Sequence, residues 1–499
     1  MDFWIFVICL CLSWTIIQAL HSIPRRSTAI PSKLPPGPKS FPIIGNVFEL
    51  GDKPHKMLAK LANTHGPLMS LKLGQITTVV ISSAAMAREA LQTHDQVFSN
   101  RTIPNCIHAH KHQEFGLPWM PVSTRWRNLR KICNSELFSS KILDANQNLR
   151  RKKVQELLTD IHKSSLAGDA VDIGRAAFKI SLNLLSNTIF SMDLAIPNSD
   201  TARVYKQIVS SIMEEAGKPN LGDYFPILRK FDIQGIRQRM TIHFGKMIDV
   251  YDNIISQRLK LRKVPGFISN KDVLDTLLNI SEDNRAEIDK NQIKHFLLDL
   301  FSAGTDTTSS TLQWAMAELL HNPEILSKAG EELRQTIGRG NTVEESDIPK
   351  LPYLQAIIKE TFRLHPAVPL LLPRKAEADV EVKGFTVPKG AQVLVNAWAI
   401  GRDPSIWDNP NSFMPERFLG SEIDVRGHNF ELIPFGGGRR ICPGLSLAIR
   451  MVHLMLGSLI HSFDWKLEDG ITPEDMNLED KFGLTLDMAQ PLQAIPITF

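Results

Sequence analysis

Cys442 lies in the run Phe435-Gly436-Gly437-Gly438-Arg439-Arg440-Ile441-Cys442-Pro443-Gly444, with no second cysteine near it in sequence. A local disulfide is excluded, and a zinc site would need three further ligands that the neighbourhood does not supply. A lone thiolate suits the axial ligation of haem iron, where it pushes electron density onto the metal and favours O–O cleavage. The glycines let the backbone pass close to a macrocycle without a Cβ in the way. Arg440, two residues from the sulfur, is placed to meet a haem propionate, and Phe435 opens the run. Pro443 suits the first position of a helix that Leu445, Leu447, Ala448 and Ile449 continue. The sulfur is then expected at a helix N-terminus, where the dipole favours the thiolate.

A second chemical signal interrupts the apolar stretch Gln292–Leu320, whose centre reads Ala303-Gly304-Thr305-Asp306-Thr307-Thr308. A mid-helix glycine costs about 1 kcal/mol against alanine, and a buried aspartate without a task costs more. Stability given up at one spot of a good helix marks a site. Gly304 leaves room for a small ligand, Thr307 can bond a carbonyl one turn back or a bound dioxygen, and Asp306 can feed protons through water. Glu360 and Arg363 share a helix face and sit among Ala356, Ile357, Ile358, Phe362 and Leu364, so they are expected as a buried, structural pair. Trp126 and Arg130, four apart, can bring an indole N–H and a guanidinium to one anion. His108, His110 and His112 alternate with no complementary ligand cluster elsewhere, and read as solvated loop residues rather than a metal site.

The elements that must position these groups are mostly helices. Leu143–Ser164, Ala176–Phe190, Arg237–Arg262, Gln292–Leu320 and Leu351–Leu364 repeat their apolar residues every three to four positions. Leu68–Leu73, Thr77–Ile81, Val380–Val387 and Gln392–Val395 alternate and read as strands. The fold class is therefore mainly α with small β-sheets, in one catalytic body over 47–499. Residues 1–23 form the expected single transmembrane helix: Phe3–Leu20 is almost continuously apolar and just long enough to span a bilayer. It lacks a basic start and a small-residue cleavage site, so an uncleaved anchor is expected, and Arg25, Arg26 and Lys33 leave the body cytosolic. Residues 24–46 are basic and rich in proline, a stiff hinge. The net charge of +4 argues against a nucleic-acid partner, and five unpatterned cysteines fit a reducing compartment.

The Cys442 run resembles the haem-binding signature of the cytochrome P-450 monooxygenases, and the other motifs follow in that family's order. The resemblance implies the cytochrome P-450 fold, haem b, and electrons from NADPH through NADPH–cytochrome P-450 reductase at the endoplasmic reticulum membrane. It implies Asp306 and Thr307 as the acid–alcohol pair, and Glu360, Arg363 and Arg417 as a structural triad. It also places Trp126, Arg130 and Arg374 beside the propionates. Arg130, Lys131 and Arg439 are candidates for a positive face on which the reductase docks. Ser70–Thr78, Glu215–Leu221, Met240–Gly245 and Val395–Asp403 are similar to the plant family 76, whose members oxidise monoterpenols, diterpenes, geranylhydroquinone or alkoxycoumarins. The expectation is 8-hydroxylation of a geraniol-like monoterpenol. The alternatives are another family-76 substrate, or a haem-thiolate sensor without turnover. An apolar pocket is expected from Leu117, Ile212, Leu298, Phe301, Ala303, Val368, Leu371, Leu372 and Leu484.

Overall fold

The computed structural model describes residues 8, 11–15 and 33–498, apart from 196–199, 267, 271, 284–287 and 469. Among these residues, eleven helices have nine residues or more. They are α1 (Pro54–His65), α2 (Thr124–Ile132), α3 (Gln147–Ala167), α4 (Ile173–Phe190), α5 (Thr201–Gly217), α6 (Ile236–Arg262), α7 (Val273–Glu282), α8 (Lys290–His321), α9 (Pro323–Ile337), α10 (Pro352–Leu364) and α11 (Leu445–Ser462). Helix α8 is buried on nearly every side, as an apolar helix through the middle of a large core must be. Its start is capped by the Asp289 side chain, which accepts the Gln292 N–H, and α9 begins with Pro323 at its first position. Helix α4 lies along α8, and α10 and α11 pack against its C-terminal half in one apolar cluster.

The expected helices are present, with informative shifts. α4 begins at Ile173 because the Asp172 side chain accepts the Arg175 N–H there. The stretch from 143 is divided: a short helix Ser140–Ala145 ends at Asn146, and α3 begins at Gln147. Val380–Val387 is a tight hairpin, its strands 380–382 and 385–387 reversing through Lys383 and Gly384 with φ of 49° and 79°.

Five short strands form the sheet that frames the site: β1 (Leu68–Leu73), β2 (Ile76–Ile81), β3 (Asn100–Arg101), β4 (Arg374–Lys375) and β5 (Gln392–Val395), in the order β1-β2-β5-β4-β3. β2 and β5 are parallel, and the other pairs are antiparallel. The register sets Arg101 opposite Arg374. The described part of the proline-rich segment does not stand off as a spacer. Pro35 and Pro36 accept hydrogen bonds from Ser70 of β1, and Asn46 exchanges two with Lys72. Gly37 is needed there, since a Cβ would stand 1.8 Å from the Ser70 carbonyl oxygen.

Most of the expected anchor lies outside the described residues. Among the described residues, α11 alone is long and apolar enough to cross a membrane, and it is a largely buried core helix.

Candidate active site

The loop before Cys442 closes on itself. Cys442 N–H donates to Phe435 O at 3.0 Å, and Ile441 N–H donates to Gly438 O at 3.0 Å. Gly438 has φ of 67°, and a Cβ on it would stand 2.1 Å from the Leu91 carbonyl oxygen, so both conformation and space require glycine. α11 opens at Leu445 with Gly444 as its cap, so Pro443 precedes the helix instead of starting it. The expected consequence survives that shift. The backbone N–H groups of Gly444 and Leu445 point at the Cys442 sulfur. Burial raises the thiol's pKa, while the Gly444 N–H, the Arg130 guanidinium and the Leu445 N–H oppose that rise.

A cavity lies between this loop and α8. Its wall includes Phe435, Gly436, Arg440 and Cys442 on one side and Ala303, Gly304, Thr307 and Thr308 on the other. Of the expected apolar lining, Leu117, Ile212, Leu298, Ala303, Val368, Leu371, Leu372 and Leu484 are there. Phe301 is not. It lies two residues from Ala303, about 200° round the helix, and is fully buried against Phe190 and Tyr251 at 5.4 and 5.5 Å. The Gly304 position is tight as well as open: a Cβ there would stand 2.8 Å from a Leu185 methyl group.

Arginines gather at the edge of this cavity. Arg101, Arg374 and Arg440 are all buried. Arg101 donates to the Pro118 and Leu372 carbonyls, Arg374 to Phe98 and Gly437, and Arg440 to Ser99, Leu117 and Met120. Burial pushes Arg374 and Arg440 down to about 10, and Arg101 falls well below its usual value through burial and the two neighbouring cations. Like charges directly opposite on paired strands repel, as Arg101 and Arg374 do here. Among the described residues, the carboxylate that reaches the trio is Asp95, 3.7 Å from Arg374 and shared with Arg439. Three buried cations against one shared carboxylate leave positive charge over, which suits the two propionates of a haem. Arg101 carries no sequence signal, since a two-residue strand has no periodicity to read. Arg130 donates to Ile441 O at 2.5 Å, and Trp126 lies under the Arg440 guanidinium, 4.7 Å from its ring centre.

Thr307 and Asp306 part company. Thr307 faces the cavity and its hydroxyl donates to Ala303 O at 2.6 Å, one turn back. Asp306 is buried on the side facing α5, with Ser210 Oγ 3.5 Å away and Lys206, Thr485 and Asp487 nearby. Burial, and then the Asp487 carboxylate, raise Asp306 to about 7. The folded protein therefore keeps a proton up to near neutrality that the unfolded chain releases near pH 4. Stability from this group falls as pH rises between those limits. Asp306→Asn is expected to lack that slope, so its thermal midpoint gains on the wild type between pH 5 and pH 8; parallel pH profiles would refute the assignment.

The triad is assembled away from the cavity. Arg363 Nε and Nη2 each donate to Glu360 at 2.7 Å, and Arg417 Nε donates to Glu360 Oε1 at 3.1 Å. Glu360 and Arg363 are fully buried. His112 departs from the loop reading. Left-handed φ values at His110 and Lys111 (50° and 57°) turn the chain inward, so His112 is buried on the cavity wall, hydrogen-bonded to His295 and Asp299. Among the described residues, no group of three or more His, Cys, Asp or Glu side chains is placed to hold a metal ion. On the outer face, Arg130 and Lys131 share a shallow depression with Arg127, whereas Arg439 turns to Asp95.

The cytochrome P450 family model matches residues 35–490, so the chain belongs to the cytochrome P450 family. It is a haem-containing monooxygenase, not a sensor without turnover. It is 57% identical to a geraniol 8-hydroxylase of Catharanthus roseus over 498 residues, all of both chains. It is 59% identical to a geraniol 8-hydroxylase of Swertia mussotii over 481 residues, 96% of each. A zebra fish cytochrome P450 structure with abiraterone superposes with a TM-score of 0.74 at 26% identity, covering 90% of this chain and 100% of that one. The expected kinship with plant family 76 stands.

Proposed function

We propose that this enzyme hydroxylates the distal allylic methyl group, C8, of geraniol or a closely similar monoterpenol. NADPH supplies two electrons through NADPH–cytochrome P450 reductase; one atom of O₂ enters the C–H bond and the other leaves as water. The observation that carries this reading is identity of 57–59% with two geraniol 8-hydroxylases over essentially the whole chain. The apolar cavity wall agrees with it, since prenyl chains bind by burial worth about 25 cal/mol per Å².

Haem bound in the cavity would activate dioxygen and insert one oxygen atom. The chain's own residues have separate parts in this reading. Cys442 would supply the thiolate that binds its iron, held at the start of α11 by two N–H groups. Arg101, Arg374 and Arg440, with Trp126 and Arg130 beside them, would hold its propionates, and Phe435 would line the cavity beside Cys442. Thr307 would hold a proton at its hydroxyl on the cavity wall, and Asp306 would hold one on the α5 side to replenish it. Phe3–Leu20 anchors the enzyme in the endoplasmic reticulum membrane, with the body on the cytosolic side, and the depression at Arg127 and Lys131 receives the reductase.

Microsomes containing the chain and its reductase should convert geraniol to the 8-hydroxylated diol in a reaction that needs NADPH. If haem is bound but geraniol and nerol yield no oxidised product, the substrate assignment is wrong. Thr307→Ala should retain haem, because its hydroxyl bonds only its own helix. Product should fall by about 10²-fold, the scale of a positioned proton donor, while NADPH consumption falls far less and hydrogen peroxide accumulates. Unchanged product per NADPH would reduce Thr307 to a helix residue. Asp306→Asn should slow NADPH oxidation and hydroxylation together.

A further inference from the structure

The cavity wall is apolar over most of its length, yet it contains a carboxylate. Asp299 lies on α8 with its side chain 9% exposed, beside His112 at 3%. His112 Nε2 is 3.0 Å from Asp299 Oδ1, and the Leu117 N–H donates to Asp299 Oδ2 at 2.8 Å. The other His112 ring nitrogen meets His295 Nδ1 at 2.8 Å. His295 is kept neutral: burial first, then the neighbouring His112, pushes it down to about 3. The His112 ring is also packed against Phe244, with 4.8 Å between centroids, so its orientation is fixed. Both Asp299 and His112 face the cavity.

A carboxylate has about four acceptor positions, and these two bonds use one on each oxygen. A polar group held this firmly in an apolar wall is suited to orienting a ligand rather than to attracting it. The spacing along α8 gives the orientation. Asp299 precedes Thr307 by eight residues, about 12 Å along the helix at 1.5 Å each. In an extended geraniol-like chain, eight bonds separate the hydroxyl oxygen from the distal methyl carbon, about 10 Å with bonds near 1.5 Å in zigzag.

We propose that Asp299, held by His112 and the Leu117 N–H, accepts the hydrogen bond of the substrate's alcohol. It fixes one end of a ten-carbon prenyl alcohol and leaves the opposite methyl group beside Thr307. Asp299 is then a specificity-determining residue, and His112 is the positioning residue behind it. This inference rests on the monoterpenol reading given above.

Binding is read from the substrate-induced absorbance change of the full-length, haem-loaded enzyme in detergent. Geraniol is compared with 2,6-dimethylocta-2,6-diene, which has the same carbon skeleton without the hydroxyl. The wild type should bind geraniol about tenfold more tightly, as expected for a hydrogen bond to a charged acceptor. Asp299→Asn should bring the two ligands within about threefold, because one amide oxygen must serve the Leu117 N–H as well. Its geraniol products should also spread beyond C8. Ser302→Ala, which removes a buried cavity-wall hydroxyl with no partner among the described residues, should keep the tenfold preference. Equal wild-type affinities, with geraniol still oxidised, overturn the Asp299 assignment alone. So does a preference that survives Asp299→Asn or disappears in Ser302→Ala. Failure of the wild type to bind or oxidise geraniol at all defeats the monoterpenol reading itself. Should Asp299→Asn not retain haem, His112→Phe leaves the carboxylate in place, held by the Leu117 N–H alone. That variant should then lower the preference by two- to threefold, and an unaltered preference counts against the proposal.

Discussion

Glu360→Ala is expected to yield a protein that no longer holds haem at growth temperature. The side chain removed is fully buried and accepts four hydrogen bonds. Two come from Arg363, one from Arg417 Nε, and one from the Met414 N–H at 2.8 Å. Removing one partner of a buried ion pair costs about 3–5 kcal/mol, because the other charge stays buried and unpaired. That is a large share of a total stability of roughly 5–15 kcal/mol. The loss has a definite place in the fold. Arg363 also donates to the carbonyls of Gly401, Pro410 and Ser412, and Arg417 donates to that of Asp408, so the triad ties the irregular segment 401–418 to α10. Packing makes the same connection, since Trp407 lies 5.5 Å from the Arg363 guanidinium, and α10 in turn reaches the Cys442 loop where Phe362 meets Phe435 edge-on at 5.2 Å. Loosening segment 401–418 therefore loosens the loop that carries Cys442. Replacing both Glu360 and Arg363 by leucine would not restore stability, because three loop carbonyls would lose their donor. Thermal unfolding and haem retention, measured together, test this. A Glu360→Ala protein that keeps haem and melts within a few degrees of the wild type would show that the triad is incidental.

The parts legible in the sequence are those whose physical cause is local. The loop 435–444 could be read because its glycines, its arginine and its cysteine act within one turn of chain. Helix α8 was legible to within two residues at each end because an apolar helix with one polar interruption has a period to follow. Glu360 and Arg363 could be read as a pair because three residues on a helix bring side chains to one face. What escaped depends on contacts between distant segments. Arg101 matters because the sheet register sets it opposite Arg374, and nothing around residue 101 encodes that register. Composition alone places Phe301 in the cavity, although its angle on α8 turns it to Tyr251. His112 was read with His108 and His110 as one loop cluster. Left-handed backbone at His110 and Lys111 turns the chain inward just before it, and its partners His295 and Asp299 come from α8.

Cys442→Ala is expected to abolish the thiolate signature in the reduced carbonyl spectrum, and with it all monooxygenase activity, while leaving the chain folded. The side chain faces the cavity, and the loop's closing hydrogen bond to Phe435 O uses the Cys442 backbone. Removing one sulfur at a cavity wall costs little packing, so the unfolding midpoint of the haem-free protein should move little. The buried thiols supply the control. Cys106 and Cys133 are 2% and 0% exposed. Burial pushes Cys133 up to about 12 and Cys106 higher still, so neither is poised to form a thiolate. Cys442 lies close enough to Cys133 to raise the Cys133 thiol further, which makes Cys133 the thiol best placed to substitute if the assignment is wrong. Cys133→Ala and Cys106→Ala should leave the spectrum unchanged. Cys442 differs from both in lining the cavity, with two N–H groups at the start of α11 aimed at its sulfur. A normal thiolate spectrum in Cys442→Ala, or its loss in Cys133→Ala, would transfer the ligand role to Cys133 and undo the reading of the cavity.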